Sequence, residues 1–158
     1  MNAEAKLVLT GGCQCGAVRY EITAAPSTVY VCHCKDCHKQ SSSAFALSMV
    51  VPRDAIRVTS GDAALWVRPG AVTASGTHND CFFCRDCGVR LYHWPSRNQA
   101  VAIVKPGTLD DTSWLQPVGH IWTRSAQPWV AIPEDTVNYE GQPPDFKALE
   151  AAWRERRR

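Results

Sequence analysis

The 158-residue chain carries eight cysteines, and they fall in three clusters: Cys13-Gln-Cys15, Cys32-His-Cys34-Lys-Asp-Cys37 and Cys81-Phe-Phe-Cys84-Arg-Asp-Cys87. Thiolates one or two residues apart can converge from a tight turn on one zinc ion at about 2.3 Å. A Cys-X-Cys disulfide would strain the backbone, and the cysteines are too dilute for a small secreted disulfide scaffold. Cys84-Arg-Asp-Cys87-Gly88 has the form of a zinc knuckle, with a glycine where the backbone must turn. Cys13 and Cys15 should lie on one side of an extended segment, with Gly11, Gly12 and Gly16 permitting bends. A closed structural zinc needs four ligands, so Cys13 and Cys15 are paired with Cys84 and Cys87. Cys32, Cys34 and Cys37 then form a three-thiol group, and three protein ligands with an exchangeable fourth are the pattern of a catalytic zinc. A second structural site, closed by His33, His38, His78 or Cys81, is the competing assignment, and the sequence does not choose between them. His33, next to two candidate ligands, should point away from their metal and form hydrogen bonds outward. Cys81 is a spare thiol, expected to be an inert small hydrophobe on a strand.

The elements that must position these thiols read as short strands. Val18, Tyr20 and Ile22 alternate with polar residues, as do Ile56 and Val58; Val89, Leu91 and His93 alternate with Arg90 and Tyr92. Ala44 to Val51 and Ala100 to Val104 are short apolar runs of strand length. Gly61-Asp62, Pro69-Gly70, Ser75-Gly76 and Pro106-Gly107 mark turns. The expected architecture is mainly β and antiparallel. A short C-terminal helix follows Pro143-Pro144, capped by Asp145 and apolar at Phe146, Leu149 and Trp153; one more helical turn can lie within Leu109 to Leu115. No repeat or long linker divides the chain, so residues 1–140 form one zinc-binding domain, with the helix and basic tail of 141–158 packed on it. Of the six tryptophans, Trp66, Trp114 and Trp153 are assigned to the core, Trp94 and Trp122 to a pocket wall. His93 and His120 read as ordinary satisfied histidines with a minor potential as proton carriers.

With 45% hydrophobic and 20% charged residues, the chain is neither collagen-like nor wholly disordered. No run reaches the ~18 to 20 apolar residues of a membrane helix. The start, MNAEAKLVLTGG, lacks the apolar region of a secretory signal, so a cytoplasmic location is expected. The formal charge is +2, and two zinc ions with seven thiolates would bring it close to neutral, which makes nucleic acid an unexpected partner. Arg154, Arg156, Arg157 and Arg158 are the main basic cluster, read as a solvated helix end.

Taken together, the three cysteine clusters, with Ser42-Ser43-Ala44-Phe45 after the second, Gly107-Thr-Leu-Asp-Asp and Pro117-Val-Gly-His120-Ile, resemble the glutathione-dependent formaldehyde-activating (GFA) family, which includes centromere protein V. The resemblance spans about residues 8 to 135. It implies a β-tent fold of twisted sheets bearing zinc knuckles, one zinc on Cys13, Cys15, Cys84 and Cys87, and a second on Cys32, Cys34 and Cys37. It further implies carbon-sulfur lyase chemistry, the reversible addition of glutathione or a similar small thiol to formaldehyde. Ser42 or Ser43 stands where family members commonly have glycine, and Cys81 near a position commonly arginine.

On this basis a substrate thiol enters the open position of the three-cysteine zinc and attacks an aldehyde carbon, while a nearby group protonates the oxygen. His120, Thr123 and Ser43 are the candidates for that donor. The alternative is a non-catalytic interaction module with two structural zincs. A thiol-redox role for Cys84-Arg-Asp-Cys87 would require a βαβ pattern, which the sequence does not show.

Overall fold

The computed structural model describes residues 7–68, 73 and 76–158. The expected turns at Pro69-Gly70 and at Ser75, and the first six residues of the chain, lie outside them. Among the described residues the fold is mainly β, with two sheets and two α-helices. A three-stranded antiparallel sheet joins β1 (Leu9–Gly12), β2 (Arg19–Ile22) and β5 (Ile56–Ser60) in the order β1-β2-β5. The larger sheet has eight strands: β3 (Thr28–Cys32), β4 (Ala46–Pro52), β6 (Ala63–Val67), β7 (Asn79–Cys84), β8 (Arg90–Pro95), β9 (Val101–Val104), β10 (Gly119–Ile121) and β11 (Val137–Tyr139). Their spatial order is β11-β10-β3-β4-β9-β8-β7-β6. It is antiparallel except at one edge, where β10 runs parallel to both β3 and β11. Long connections deliver these strands and also bring β4 beside β9, whereas β7 and β8 are joined by a short hairpin.

The strand alternation read in the sequence sorts the two faces of the large sheet. Val29, Met49, Val51, Ala102 and Val104 point to one side and are almost fully buried. They share a continuous core with Tyr20 and Ile22 of the small sheet. Fully burying each large side chain of this kind contributes about 1.5–3 kcal/mol. On the opposite face, register aligns Trp66, Cys81, His93, Ile103, Val50 and Thr28 in one row across six strands.

Helix α2 (Lys147–Arg156) closes one end of that face. It buries Leu149 and Trp153, and its Leu149 carbonyl accepts from Thr28 Oγ1 at 3.2 Å while the Trp153 indole donates to the Pro26 carbonyl at 2.9 Å. The helix starts one residue later than the sequence suggests, yet Asp145 still serves its end: Oδ1 accepts the Lys147 N–H at 3.0 Å. Residues 109–115 hold a single turn, closed from Leu115 N–H to the Thr112 carbonyl, and no helix.

The seven-residue helix α1 (Lys35–Ser41) was not foreseen. It buries no side chain, so it leaves no apolar stripe to read. Instead Cys34 starts it, its sulfur accepting the Cys37 N–H at 3.3 Å, and Ser42 ends it in the left-handed region at φ 50°.

Candidate metal centres and the cavity

The two turns that follow β1 and β7 are built alike. Gly16 N–H bonds to the Cys13 carbonyl at 3.1 Å and Gly88 N–H to the Cys84 carbonyl at 2.8 Å. Both glycines have φ near +80°, at 80° and 74°, a region costly for any residue with a Cβ. Cys13 and Cys15 thus converge through a turn, not along an extended segment as the spacing suggested. The result is a group of four sulfurs, Cys13, Cys15, Cys84 and Cys87, all within 4.8 Å of one another. Cys13 Sγ lies 3.5 Å from Cys15 Sγ, which lies 3.7 Å from Cys84 Sγ. A tetrahedral ion with metal–sulfur bonds of about 2.3 Å places its sulfurs roughly 3.8 Å apart, so the donor set fits a metal without rearrangement.

Charge distribution points the same way. Against its burial, Cys13 is drawn down to about 6 by the Val18 N–H and the neighbouring thiols. Cys15, despite the Ala17 N–H, is pushed up to about 12 by Cys13 and Cys87. Four thiols this close cannot all ionise unless a cation joins them.

The second group comprises Cys32, Cys34 and Cys37, again with all sulfurs within 4.8 Å. Cys32 ends β3, Cys34 begins α1 and Cys37 sits in its first turn. Hydrogen bonds from Cys32 and Cys37 drive the Cys34 thiol well down, and the same contacts hold Cys32 well up. All eight cysteines are free thiols. No histidine joins either group among the described residues. His33 is fully buried and bonds inward, its Nε2 2.9 Å from His120 Nδ1, rather than outward as expected. Burial, with His120 and His38 nearby, takes its pKa down to about 4.

The two groups differ in surroundings. Cys32, Cys34 and Cys37 line a cavity of about 810 Å³, which none of the other four lines. Its floor is the sheet face carrying Trp66, Cys81, His93 and Ile103, and its far wall includes Phe146 of the segment leading into α2. Tyr30, next to Cys32 on that face, packs on Phe146 with ring centroids 5.3 Å apart. The volume suits a ligand much larger than an ion or a one-carbon aldehyde.

Several sequence assignments change here. Trp66 is 45% exposed and lines the cavity instead of filling the core. Trp94 faces the opposite side of β8 from His93, packed on Phe82, Tyr92 and the Arg53 guanidinium. Trp122 lines the cavity and Trp153 is buried, as expected, while Trp114 is half-buried against Trp153. Cys81 is buried on the cavity floor, with its thiol donating to the Asn79 carbonyl at 3.4 Å. His93 is not a satisfied histidine: its buried Nδ1 has no hydrogen-bond partner among the described residues.

The three candidate proton donors lie off the cavity wall. His120 pairs with Val31 and so faces away from Cys32, Thr123 Oγ1 donates to the Tyr139 carbonyl at 3.2 Å, and Ser43 is exposed beyond α1. Lys105 does line the cavity and was overlooked. The period of two along Val101, Ile103 and Lys105 was the available signal, since it puts all three on one face. In the basic tail, Arg156 donates to the Pro117 carbonyl and Arg157 lies over Trp153. No helix among the described residues is long and apolar enough to cross a membrane.

Comparison with known proteins adds a family. The family model described as "Glutathione-dependent formaldehyde-activating enzyme" matches residues 8–125. A relative from Penicillium rubens bearing that designation is 30% identical over 110 residues, 66% of this chain and 55% of its own length. One from Emericella nidulans is 30% identical over 82 residues, 51% of this chain and 39% of its own. The chain therefore spans about half the length or less of these relatives. A crystal structure of a Rhodobacter sphaeroides protein aligns with a TM-score of 0.49 at 20% identity, covering 82% of this chain and 98% of that one.

Proposed function

Because this chain belongs to the glutathione-dependent formaldehyde-activating enzyme family, we propose that it is a zinc-dependent carbon-sulfur lyase that reversibly adds a small thiol, glutathione or a relative of it, to an aldehyde. The observation that carries this reading is that the three-thiol group lines the cavity of about 810 Å³ and the four-thiol group does not. Cys13, Cys15, Cys84 and Cys87 would hold one zinc with all four positions filled. Cys32, Cys34 and Cys37 would hold the other with one position left for substrate. When bound there, zinc supplies a Lewis-acid site at which a thiol is kept as its thiolate near neutral pH.

The chain's own side chains do the rest. The floor and the Phe146 wall exclude water and hold the aldehyde carbon against the sulfur. Tyr30 and Ser48, directly opposite each other on β3 and β4, present hydroxyls to the cavity next to Cys32. Burial keeps the Tyr30 phenol un-ionised, so it can donate a proton to the aldehyde oxygen. The resulting phenolate recovers a proton from water after the forward step, and in the reverse direction it is the phenolate that takes the proton back as the aldehyde departs. His120, Thr123 and Ser43, proposed from the sequence for this role, would need to move to reach the reacting atoms.

The test is metal counting followed by cobalt substitution and titration with glutathione. Two metals per chain, a change in the cobalt spectrum on adding the thiol, and faster formation of the formaldehyde adduct by NMR are expected. Two metals with no spectral response to thiols would refute the reading and leave two structural ions.

A further inference from the structure

Lys105 is a half-buried cation in the cavity wall that forms no ion pair with a carboxylate among the described residues. It follows β9 and continues the pairing of Val50 with Ile103 by one pleat, which sets it opposite Ser48. Its N–H bonds to the Leu91 carbonyl at 2.8 Å, fixing the backbone, and its Nζ lies 3.5 Å from Ser48 Oγ. The side chain is half-buried in the cavity wall. Among the described residues no Asp or Glu forms an ion pair with it, although Arg19, Arg57, Arg68 and Lys147 all have one. Its nearest cationic neighbour, Arg90, turns to Gln40 Oε1 at 3.1 Å.

An ammonium left in a poorly solvated wall without an anion is destabilising. Of the acids that line the same cavity, Asp36 is paired with Arg68 and Asp145 with Lys147, and Glu150 stands on α2; the anionic groups that act on Lys105 are sulfurs. Lys105 lines the same cavity as the three thiols, and the Ser48 it reaches lies opposite Tyr30, two residues before Cys32 on the same strand face; burial depresses its pKa, and Cys37 and Cys32 act in the opposite direction. Three thiolates around a divalent ion carry one net negative charge, and a fourth thiolate would raise that to two.

We propose that Lys105 is the counter-charge of the three-thiol centre, a positioning residue that lets an anionic thiol enter it. This rests on the metal assignment of the proposed function but predicts something that assignment does not: the centre should prefer anionic ligands because of one side chain two strands away from Cys32. At the four-thiol group the cation that acts on Cys13, Arg19, is already paired with Asp110, in keeping with a group that admits no fifth ligand.

The experiment compares the holoprotein with Lys105→Met, which keeps the stem and removes the charge, and with Lys105→Arg, which keeps the charge. Two readouts are taken. In thermal denaturation of the zinc-loaded proteins, Lys105→Met should melt several degrees lower if the lysine is matched by the thiolates; an unmatched cation would give the reverse, because its removal relieves a desolvated charge. In glutathione titration of the cobalt-substituted proteins, Lys105→Met should bind about tenfold more weakly, with a spectrum otherwise unaltered, and Lys105→Arg should recover most of the affinity. An unchanged or raised melting temperature, or an unchanged glutathione affinity in Lys105→Met, overturns the inference. If wild-type cobalt protein does not respond to glutathione at all, the proposed function fails, and the sign of the melting shift alone decides the role of Lys105. Lys105→Gln gives the same comparison should the methionine variant not fold.

Discussion

The two thiol groups use the same atom for opposite structural ends. The four-thiol group draws ligands from two turns 69 positions apart in the chain, Cys15 and Cys84, and so ties the hairpin of the small sheet to the β7–β8 hairpin of the large one. The three-thiol group takes all its ligands from one strand end and the first turn of one short helix, and it joins nothing distant. Remote ligands convert metal binding into tertiary stability, because the unfolded chain must close a long loop to make the site. Local ligands leave the ion free to serve chemistry at the head of a cavity.

The sharpest way to break this comparison is to remove one ligand from each group. Cys84→Ala should lose one metal equivalent and several kcal/mol of stability, abolishing a cooperative melt near ambient temperature, since it opens the long loop and empties a buried position. A Cys84→Ala protein that melts like the wild type would show that the four thiols are no clamp. Cys34→Ala should also lose one metal equivalent, together with glutathione binding, but cost much less, about 1 kcal/mol for the cap it gives α1 and a few degrees for the ion and its match to Lys105. Cys34→Ser separates the two roles: a hydroxyl caps a helix well, so metal content should fall as in Cys34→Ala while only the part of the melting shift owed to the cap recovers. Calorimetry with metal analysis reads both outcomes.

How far this contrast could be read from the sequence depends on the range over which each feature is encoded. The thiol clusters were legible because ligand spacing is written within three to six residues. The strand around Val18, Tyr20 and Ile22 was legible because alternation is equally local. The cavity was not, since the row from Trp66 to Thr28 exists only once six strands have taken their register, and no single segment records it. That is why Trp66 was assigned to the core and Trp94 to a pocket: each reading needed the face of a strand, and only pairing decides it. Helix α1 escaped because a polar helix capped by a ligand sulfur has none of the apolar periodicity by which helices are found. The parallel placement of β10 beside β3 escaped for the same reason as the cavity, being a matter of long connections.

A smaller effect sharpens the comparison at the four-thiol end. Asp110 accepts from Arg19 Nη1 at 2.9 Å and from Thr10 Oγ1 at 2.6 Å, pinning β1 and β2 just beyond the Cys13 turn. These hydrogen bonds, from Arg19 first and Thr10 second, hold its carboxyl below the usual carboxylate range. A carboxyl depressed in the folded state adds stability above its unfolded pKa of about 3.9 and loses it as pH falls through the folded value. Both partners are well exposed, so screening keeps the contribution under about 1 kcal/mol. Asp110→Asn should therefore lower the melting temperature slightly at pH 7, and the gap to wild type should close as the pH is taken below about 4. A gap that widens on acidification would mean the pair does not act this way.

The distance in sequence between the two halves of the four-thiol group also sets a schedule for the chain's birth. At translation speeds of about 5–20 residues per second, Cys13 and Cys15 emerge roughly 3 to 14 s before Cys84 and Cys87 exist to join them. For that interval the amino-terminal pair is an unfinished half of a chelate, open to oxidants and to stray ions. The mid-chain trio completes itself within six residues, so in every nascent molecule the centre assigned to chemistry can load its ion before the centre assigned to architecture.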